Sequence, residues 1–416
     1  MRMPVTGFLR RVAAVAAVGA SLAVLTSCGP PSSLVLDGRG WGHGRGMSQW
    51  GAYGYAVDDG WSGTRILDHF YGGTSTYQRS DNPLQRVFLT AQQGRDLVVT
   101  NSRGLLETSA DGYAQRGTAL LVRYVDSTRF RVFSGTGCSG PWTEWPALVT
   151  AATVRTRVAP VGGLPDDATS KLGLCTSGGT RFYRGDLLAV HASGTIQSVD
   201  EVDTESLVRA VITREISPSW ADAGGGRGAA AVRAQAVAAR SYVVAGDSRY
   251  QPWATTCDST SCQVHPGYGF QAAGSSTVLR YEDPRTDAAT VATARQVRRH
   301  PNGVVGRTEF FPSSGGWTAG GEFPAVADDG DDTSANPNHT WTTTIDRSAI
   351  EGAFDRRQGR DVGTYEGVDI LSRNGLGADG GRVLSMRVRF SVVDVTLSGD
   401  AFRALFGLRS NWFTPR

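Results

Sequence analysis

Lysine is almost absent from this sequence. Lys171 is the single one, and the rest of the 42 basic residues are arginine. That leaves little room for a mechanism built on a lysine Schiff base. Net charge is scarce as well. The formal charge is +3, and Arg2, Arg10 and Arg11 all lie in residues 1–27, where there is no acid, so the remainder is neutral. Binding to nucleic acid needs a basic stripe, which a neutral chain of mixed signs does not offer, so nucleic acid is excluded as a partner. Long apolar runs are missing too. The run 12–25 is too short to span a membrane comfortably, and behind its arginines it reads as the apolar part of an export signal.

Cysteine is sparse but placed with meaning. Leu25-Thr26-Ser27-Cys28 has the pattern of a bacterial lipoprotein processing site. It predicts that residues 1–27 are removed and that the Cys28 thiol is acylated, which anchors the exported protein to the outer face of the cytoplasmic membrane. Cys138, Cys175, Cys257 and Cys262 remain, an even number in an exported chain, which points to disulfides. Pairing Cys138 with Cys175 and Cys257 with Cys262 closes the shortest loops. The alternative is zinc on Cys257, Cys262 and His265; the disulfide reading leaves no metal site and no cofactor.

Glycine, by contrast, is concentrated. Residues 38–54 read Gly-Arg-Gly-Trp-Gly-His-Gly-Arg-Gly-Met-Ser-Gln-Trp-Gly-Ala-Tyr-Gly. Glycine at alternate positions lets a backbone bend sharply or approach a ligand closely. No Gly-Lys-Ser/Thr follows, and no G-x-G-x-x-G register fits, so this is not a nucleotide loop. Between the glycines stand indole, imidazole, guanidinium, hydroxyl and amide groups, which bind sugars or move protons. His43, Ser48 and Gln49 either contact a sugar's N-acetyl and hydroxyl groups or brace the backbone.

The segments predict an α+β fold with β-rich mixed sheets and a central Ala-rich helix. Residues 1–27 are the signal, 28–33 a tether and 34–74 the glycine motif with two short helices near 48–58 and 66–71. Residues 75–180 form a β-rich accessory insert with strands near 86–91, 96–100, 119–125, 129–133 and 147–158. Residues 181–345 form a core with a helix over 228–245, and 346–416 complete it. No internal repeat occurs. The acidic run Asp328-Asp329-Gly330-Asp331-Asp332 lacks EF-hand spacing and reads as a solvated loop rather than a calcium site.

Several stretches resemble one family. Residues 42–52 are similar to the G-H-G-x-G-M-S-Q-x-G-A signature of the sporulation protein SpoIID/LytB family, whose members act on bacterial peptidoglycan. The signature usually comes near the end of the domain; here it comes first. Glu215-Ile216-Ser217-Pro218-Ser219-Trp220 resembles the family's E-x-P-x-x-W stretch, with Pro218 one place late. Residues 233–242 resemble its K-A-Q-A-V-A-A-R-[ST]-Y helix, with Arg233 for Lys. Gln263-Val264-His265 resembles Q-V-Y with His265 for Tyr, and 313–318 resembles S-x-G-G-x-T. Asn336-Pro337-Asn338-His339-Thr340-Trp341 and the stretch 405–413 look familial too.

The resemblance implies a SpoIID-like fold and a lytic transglycosylase that cuts peptidoglycan glycan strands, with Glu215 as catalytic acid. Ile216, Pro218 and Trp220 around it are apolar, and apolar surroundings let a carboxylic acid keep its proton near neutral pH; the competing reading is a helix N-terminal carboxylate. Implied substrate contacts are His43, Ser48, Gln49, Arg240, Tyr242, Gln263, Ser314, Gly316 and Thr318. Arg240 is read either as a partner of Glu215 or of a sugar carboxylate, or as a structural ion pair. Trp41 and Trp317 are stacking candidates. LytB-type relatives imply a second reading, a non-catalytic peptidoglycan binder that modulates a cell-wall amidase partner.

Overall fold

The computed structural model describes residues 29–115, 117–246 and 248–416. The predicted signal and the Cys28 lipidation site lie outside the described residues. Seven α-helices stand among them: α1 (Gln49–Val57), α2 (Gly63–Phe70), α3 (Thr204–Glu215), α4 (Ala229–Ala245), α5 (Pro284–Ala292), α6 (Arg347–Gln358) and α7 (Gly399–Phe406). Together with several mostly antiparallel sheets they make an α+β fold.

Two large sheets pack face to face. One has nine strands, running in spatial order from Val149–Thr150 through Arg129–Gly135, Ala119–Asp126, Leu97–Thr100, Leu172–Thr176, Gly179–Tyr183 and Gly269–Ala272 to Val278–Arg280, with Trp142–Glu144 on Arg129–Gly135. The other has six, Thr256–Cys257, Leu84–Phe88, Thr195–Asp203, Asp186–Ala192, Thr153–Val158 and Leu106–Thr108. Leu97, Val99, Leu120, Val122 and Val132 of the first sheet meet Leu106, Val154, Leu187, Ala189 and Ile196 of the second in one buried layer. Alternating apolar residues are what place one face of each strand inside. The stretch expected as one strand over 147–158 is two strands in different sheets, and both sheets cross the boundary expected at 180/181.

The Ala-rich helix α4 is the centre of the molecule. Ala230, Ala231, Ala234, Val237 and Ala238 pack on α1 and α2, Val232 and Ala236 on α3 and α5, and Ala239 and Val243 on Val87, Val202, Leu207 and Val211. Small side chains permit this crowding from all sides: the Cα of Gly63 on α2 is so near that a Cβ there would sit 3.0 Å from the Ala230 carbonyl.

The third core belongs to the chain's two ends. Strand Ser33–Arg39 lies between Thr340–Asp346 and Phe413–Pro415. Leu34 and Leu36 are buried with Trp341, Phe354, Phe390, Phe402 and Phe413. This pairing delivers the glycine motif, which follows the strand directly, to the middle of the molecule.

Candidate active site

Glu215 is placed by the way α3 stops. Asp203 caps its start, its side chain accepting from Ser206 N at 3.0 Å. At the other end Ser217 precedes Pro218, and a residue before proline is driven out of the helical region; Ile216 and Ser217 are extended. Glu215 is therefore the last helical residue, so the reading as a helix N-terminal carboxylate is corrected. A carboxylate here faces the helix's partial negative charge. Burial pushes the Glu215 carboxyl up to about 7, against the opposing pull of the Val264 N–H, which donates to Oε1 at 3.2 Å. No arginine pairs with it among the described residues.

Glu215 opens into a cleft of about 390 Å³ whose walls include Trp41, Gln49, Trp50, Arg214, Trp220 and Asn338. No second acid lines it among the described residues. Trp50 and Trp220 lie with ring centroids 4.6 Å apart, and Tyr53 backs both at 5.3 and 4.8 Å. The turn Pro218–Asp222 presents Trp220, and Trp50 is on the first turn of α1. With Trp41, which is 46% exposed, they give the cleft aromatic faces of the kind on which a sugar ring can lie. Trp50 and Asn338 carried no assigned role in the sequence reading, and Trp220 was read only as an apolar neighbour. The signal was present: Trp50 follows Gln49 in the motif, and Trp220 follows Glu215 by five residues.

The structure brings Gln49 and Trp41 to Glu215's cleft and leaves His43 outside its lining. His43 packs against Phe311 at 5.5 Å, its Nδ1 accepting from Arg45 N at 3.0 Å. Burial, then the charge of Arg45, pushes its imidazole down to about 4, so it is neutral at pH 7. The glycines between these residues are there for the backbone. Gly46 has φ +73°, and a Cβ on it would lie 2.0 Å from the Glu309 carbonyl, against which Met47–Ser48 pairs as a short parallel strand with Phe310–Phe311.

Ser48 is wholly buried and does two structural jobs. Its Oγ caps α1, accepting from Gly51 N at 3.1 Å, and donates to Asp331 at 3.0 Å. Asp331 also accepts from Ser313 Oγ at 2.9 Å, Ser314 N at 2.9 Å, Gly315 N at 2.8 Å and His339 Nδ1 at 3.0 Å. The expectation of a solvated acidic loop is thus corrected: Asp328 and Asp331 are fully buried. So many donors converge on Asp331 that burial is sustained. Burial and then the Asp331 charge raise Asp328 well above the usual carboxylate range.

The other expected contacts lie away from the Glu215 cleft. Ser314 is buried on Asp331, with its Oγ accepting from Gly316 N at 3.0 Å. Thr318 is buried, its Oγ1 accepting from Val326 N at 2.9 Å. Arg240 is 1% exposed and grips Glu205, not Glu215, through two bonds of 2.8 and 2.7 Å; Glu205 is at the opposite end of α3. Tyr242 accepts from Arg307 at 2.6 Å. Gln263 is buried and donates to the Ala239 carbonyl at 3.2 Å. His265 lies 2.7 Å from Asp200 through Nε2. Cys257–Cys262 and Cys138–Cys175 are disulfides, which removes the zinc alternative. Trp317 does not line the cleft.

Residues 192–300 match the family model of SpoIID, stage II sporulation protein. The chain carries a SpoIID domain. That segment includes α3, Glu215, α4 and Gln263-Val264-His265, while the glycine motif and the 313–318 loop lie outside it. Comparison with curated proteins and with solved structures finds no match. A SpoIID domain implies a cell-wall-related role. No helix among the described residues is long and apolar enough to cross a membrane.

Proposed function

We propose that this protein is a lytic transglycosylase that cuts the glycan strands of peptidoglycan, exported and held at the membrane through a lipid on Cys28. The observation that carries the reading is one raised carboxyl alone in an aromatic-walled cleft. Hydrolysis with one acid and one base or nucleophile needs two carboxylates about 5–10 Å apart. A lytic transglycosylase needs one. Glu215 gives its proton to the glycosidic oxygen, and the bond from that oxygen to the anomeric carbon breaks. The carboxylate then takes the proton of the same sugar's 6-hydroxyl as that oxygen bonds to the anomeric carbon. A 1,6-anhydro sugar leaves, no water is consumed, and Glu215 is again protonated. With Oε1 occupied by Val264 N–H, Oε2 is the oxygen for the proton in flight.

Digestion of purified peptidoglycan tests this. Anhydromuramyl fragments by mass spectrometry, lost in Glu215→Gln, are expected. Reducing-end products from hydrolysis, or co-sedimentation with intact strands and no products at all, would replace the reading with a hydrolase or with a binding, amidase-modulating protein respectively.

A further inference from the structure

A larger groove, about 1190 Å³, runs along the nine-stranded sheet beside the Glu215 cleft. The two spaces meet at Arg214, which lines both, and at Val264, which lines the groove while holding Glu215. The wall is built from the strands of the accessory region and is pinned by the Cys138–Cys175 disulfide. Nothing in the cleavage chemistry uses this space.

Its charges are unevenly satisfied. Of the two acids lining it, Asp96 is taken by Arg123 at 2.8 Å, and Asp258 accepts from Thr90 N and Oγ1 at 3.0 and 2.7 Å. Three guanidiniums line it as well. Arg181 gives Nη1 to the Pro266 carbonyl at 2.7 Å. Arg214 is exposed and lies over the Tyr281 ring at 4.3 Å. Arg95 is exposed on the rim. Among the described residues none of the three has a carboxylate partner. The groove's acids are thus engaged by the protein and its arginines are left for a ligand. Guanidinium forks match carboxylates in geometry and charge.

We propose that this groove binds the carboxylate-bearing peptide branch of a peptidoglycan strand whose sugars lie at Glu215. The inference rests on the cell-wall polymer being the substrate. A branch on a sugar beside Glu215 meets Arg214 first, because Arg214 is its sequence neighbour and stands where cleft and groove join. The volume exceeds the roughly 300–1,000 Å³ typical of small-ligand pockets, as an extended oligomer requires. The accessory strands then act as a reader of substituents on the strand, and Arg95 and Arg214 set a preference for peptide-bearing over bare glycan.

The test reads binding in the Glu215→Gln protein, which cannot cut. The probes are a muramyl tripeptide, the same compound with its carboxylates amidated, and a peptide-free tetrasaccharide of the same backbone, titrated by calorimetry. The tripeptide is expected to bind more tightly than the amidated form, and Arg95→Gln is expected to weaken it by about tenfold, the scale of one charge-assisted hydrogen bond. Arg214→Gln should deepen that loss. Arg95→Gln should leave the tetrasaccharide's affinity where it was. Equal binding of the charged and amidated forms, binding indifferent to Arg95, or no binding of the tripeptide overturns the proposal; so does tighter binding of a phosphate polymer of the wall than of the tripeptide. Carboxylate-dependent binding in a protein whose parent yields no anhydro products would remove the proposed reaction and keep the groove.

Discussion

Val264 donates its backbone N–H to Glu215 Oε1 at 3.2 Å, and the residues on either side of Val264 are both anchored. Gln263 is tied to the α4 carbonyl of Ala239, and His265 to Asp200 on the strand Thr195–Asp203. Cys262, one residue further back, is closed onto Cys257. The only donor to the candidate acid is therefore held from α4, from a sheet and by a disulfide at once. Gln263 and His265 do not face the cleft, yet they fix the group that does.

Glu215 sets the pH dependence of cleavage. Its carboxyl is pushed up to about 7 chiefly by burial, so the acid form is the main species below that pH. The rate on soluble glycan should fall as pH rises through about 7, approaching tenfold per pH unit above it. Glu215→Gln should lower the rate about 10²–10⁴-fold with an unchanged circular dichroism spectrum. A flat profile between about pH 6 and 9, or an active Gln variant, assigns the acid elsewhere.

Gln263→Ala releases one side of Val264. The Val264 bond lowers the Glu215 pKa, so loosening it should move the descending limb to higher pH and reduce the maximal rate. Stability should fall by about 1–2 kcal/mol for the lost buried hydrogen bond. A purely structural role for Gln263 would lower stability and leave the limb in place, and the pH–rate profile separates the two.

Ser48→Ala should be a stability variant. It loses the α1 cap and one donor to buried Asp331, a cost of about 1–3 kcal/mol in urea unfolding. Affinity of the folded protein for glycan should change less than about twofold, since a buried hydroxyl with both roles filled has no ligand to meet. Unchanged stability with weakened glycan binding would restore Ser48 as a sugar contact.

The sequence carried the fold class, both disulfides, the limits of α1 and α4, and the stop after Glu215, because each rests on local signals: a serine cap, an alanine run, a residue before proline. It did not carry the roles of the motif residues. Ser48, Ser314 and Thr318 have the chemistry of sugar ligands, but their hydroxyls are spent on Asp331, Gly316 and Val326. Those partners are set by packing between the motif and residues 309–331, far apart along the chain. The acidic run misled for the same reason: alternating aspartates look solvated until five donors converge on one of them. Arg240 was open to two readings, and only the three-dimensional offset between Glu205 and Glu215 along α3 decides between them.

Arg240→Met should unfold the protein more easily without shifting the pH–rate limb. The variant leaves Glu205, whose two oxygens are engaged by Arg240, without its cation. Breaking one side of a buried pair costs about 3–5 kcal/mol. Adding Glu205→Gln should recover part of that loss in denaturant titrations, because the stranded charge is then gone. If the single variant instead moved the limb, Arg240 would be acting on Glu215 after all.

The last expectation concerns stability rather than rate. The folded Glu215 carboxyl titrates near 7 against an ordinary 4.5. Below 4.5 both the folded and unfolded chains hold the proton, and the residue contributes nothing. As pH rises from there to about 7, the unfolded chain releases its proton first, so it binds fewer protons than the folded one and stability declines with pH. Above about 7 the penalty is complete and constant, on the order of 1–3 kcal/mol for a partly solvated group. Glutamine has no proton to lose and escapes this slope. Glu215→Gln should therefore match the parent in unfolding near about pH 4 and exceed it by that margin near about pH 8. A catalytic group held in an unfavourable state is relieved when its charge is removed, whereas a carboxylate that stabilised the fold through an ion pair would give the opposite sign. Unfolding curves of the two proteins across that range distinguish the cases: a Gln variant weaker than the parent at alkaline pH means that Glu215 is a structural anion and not a poised acid.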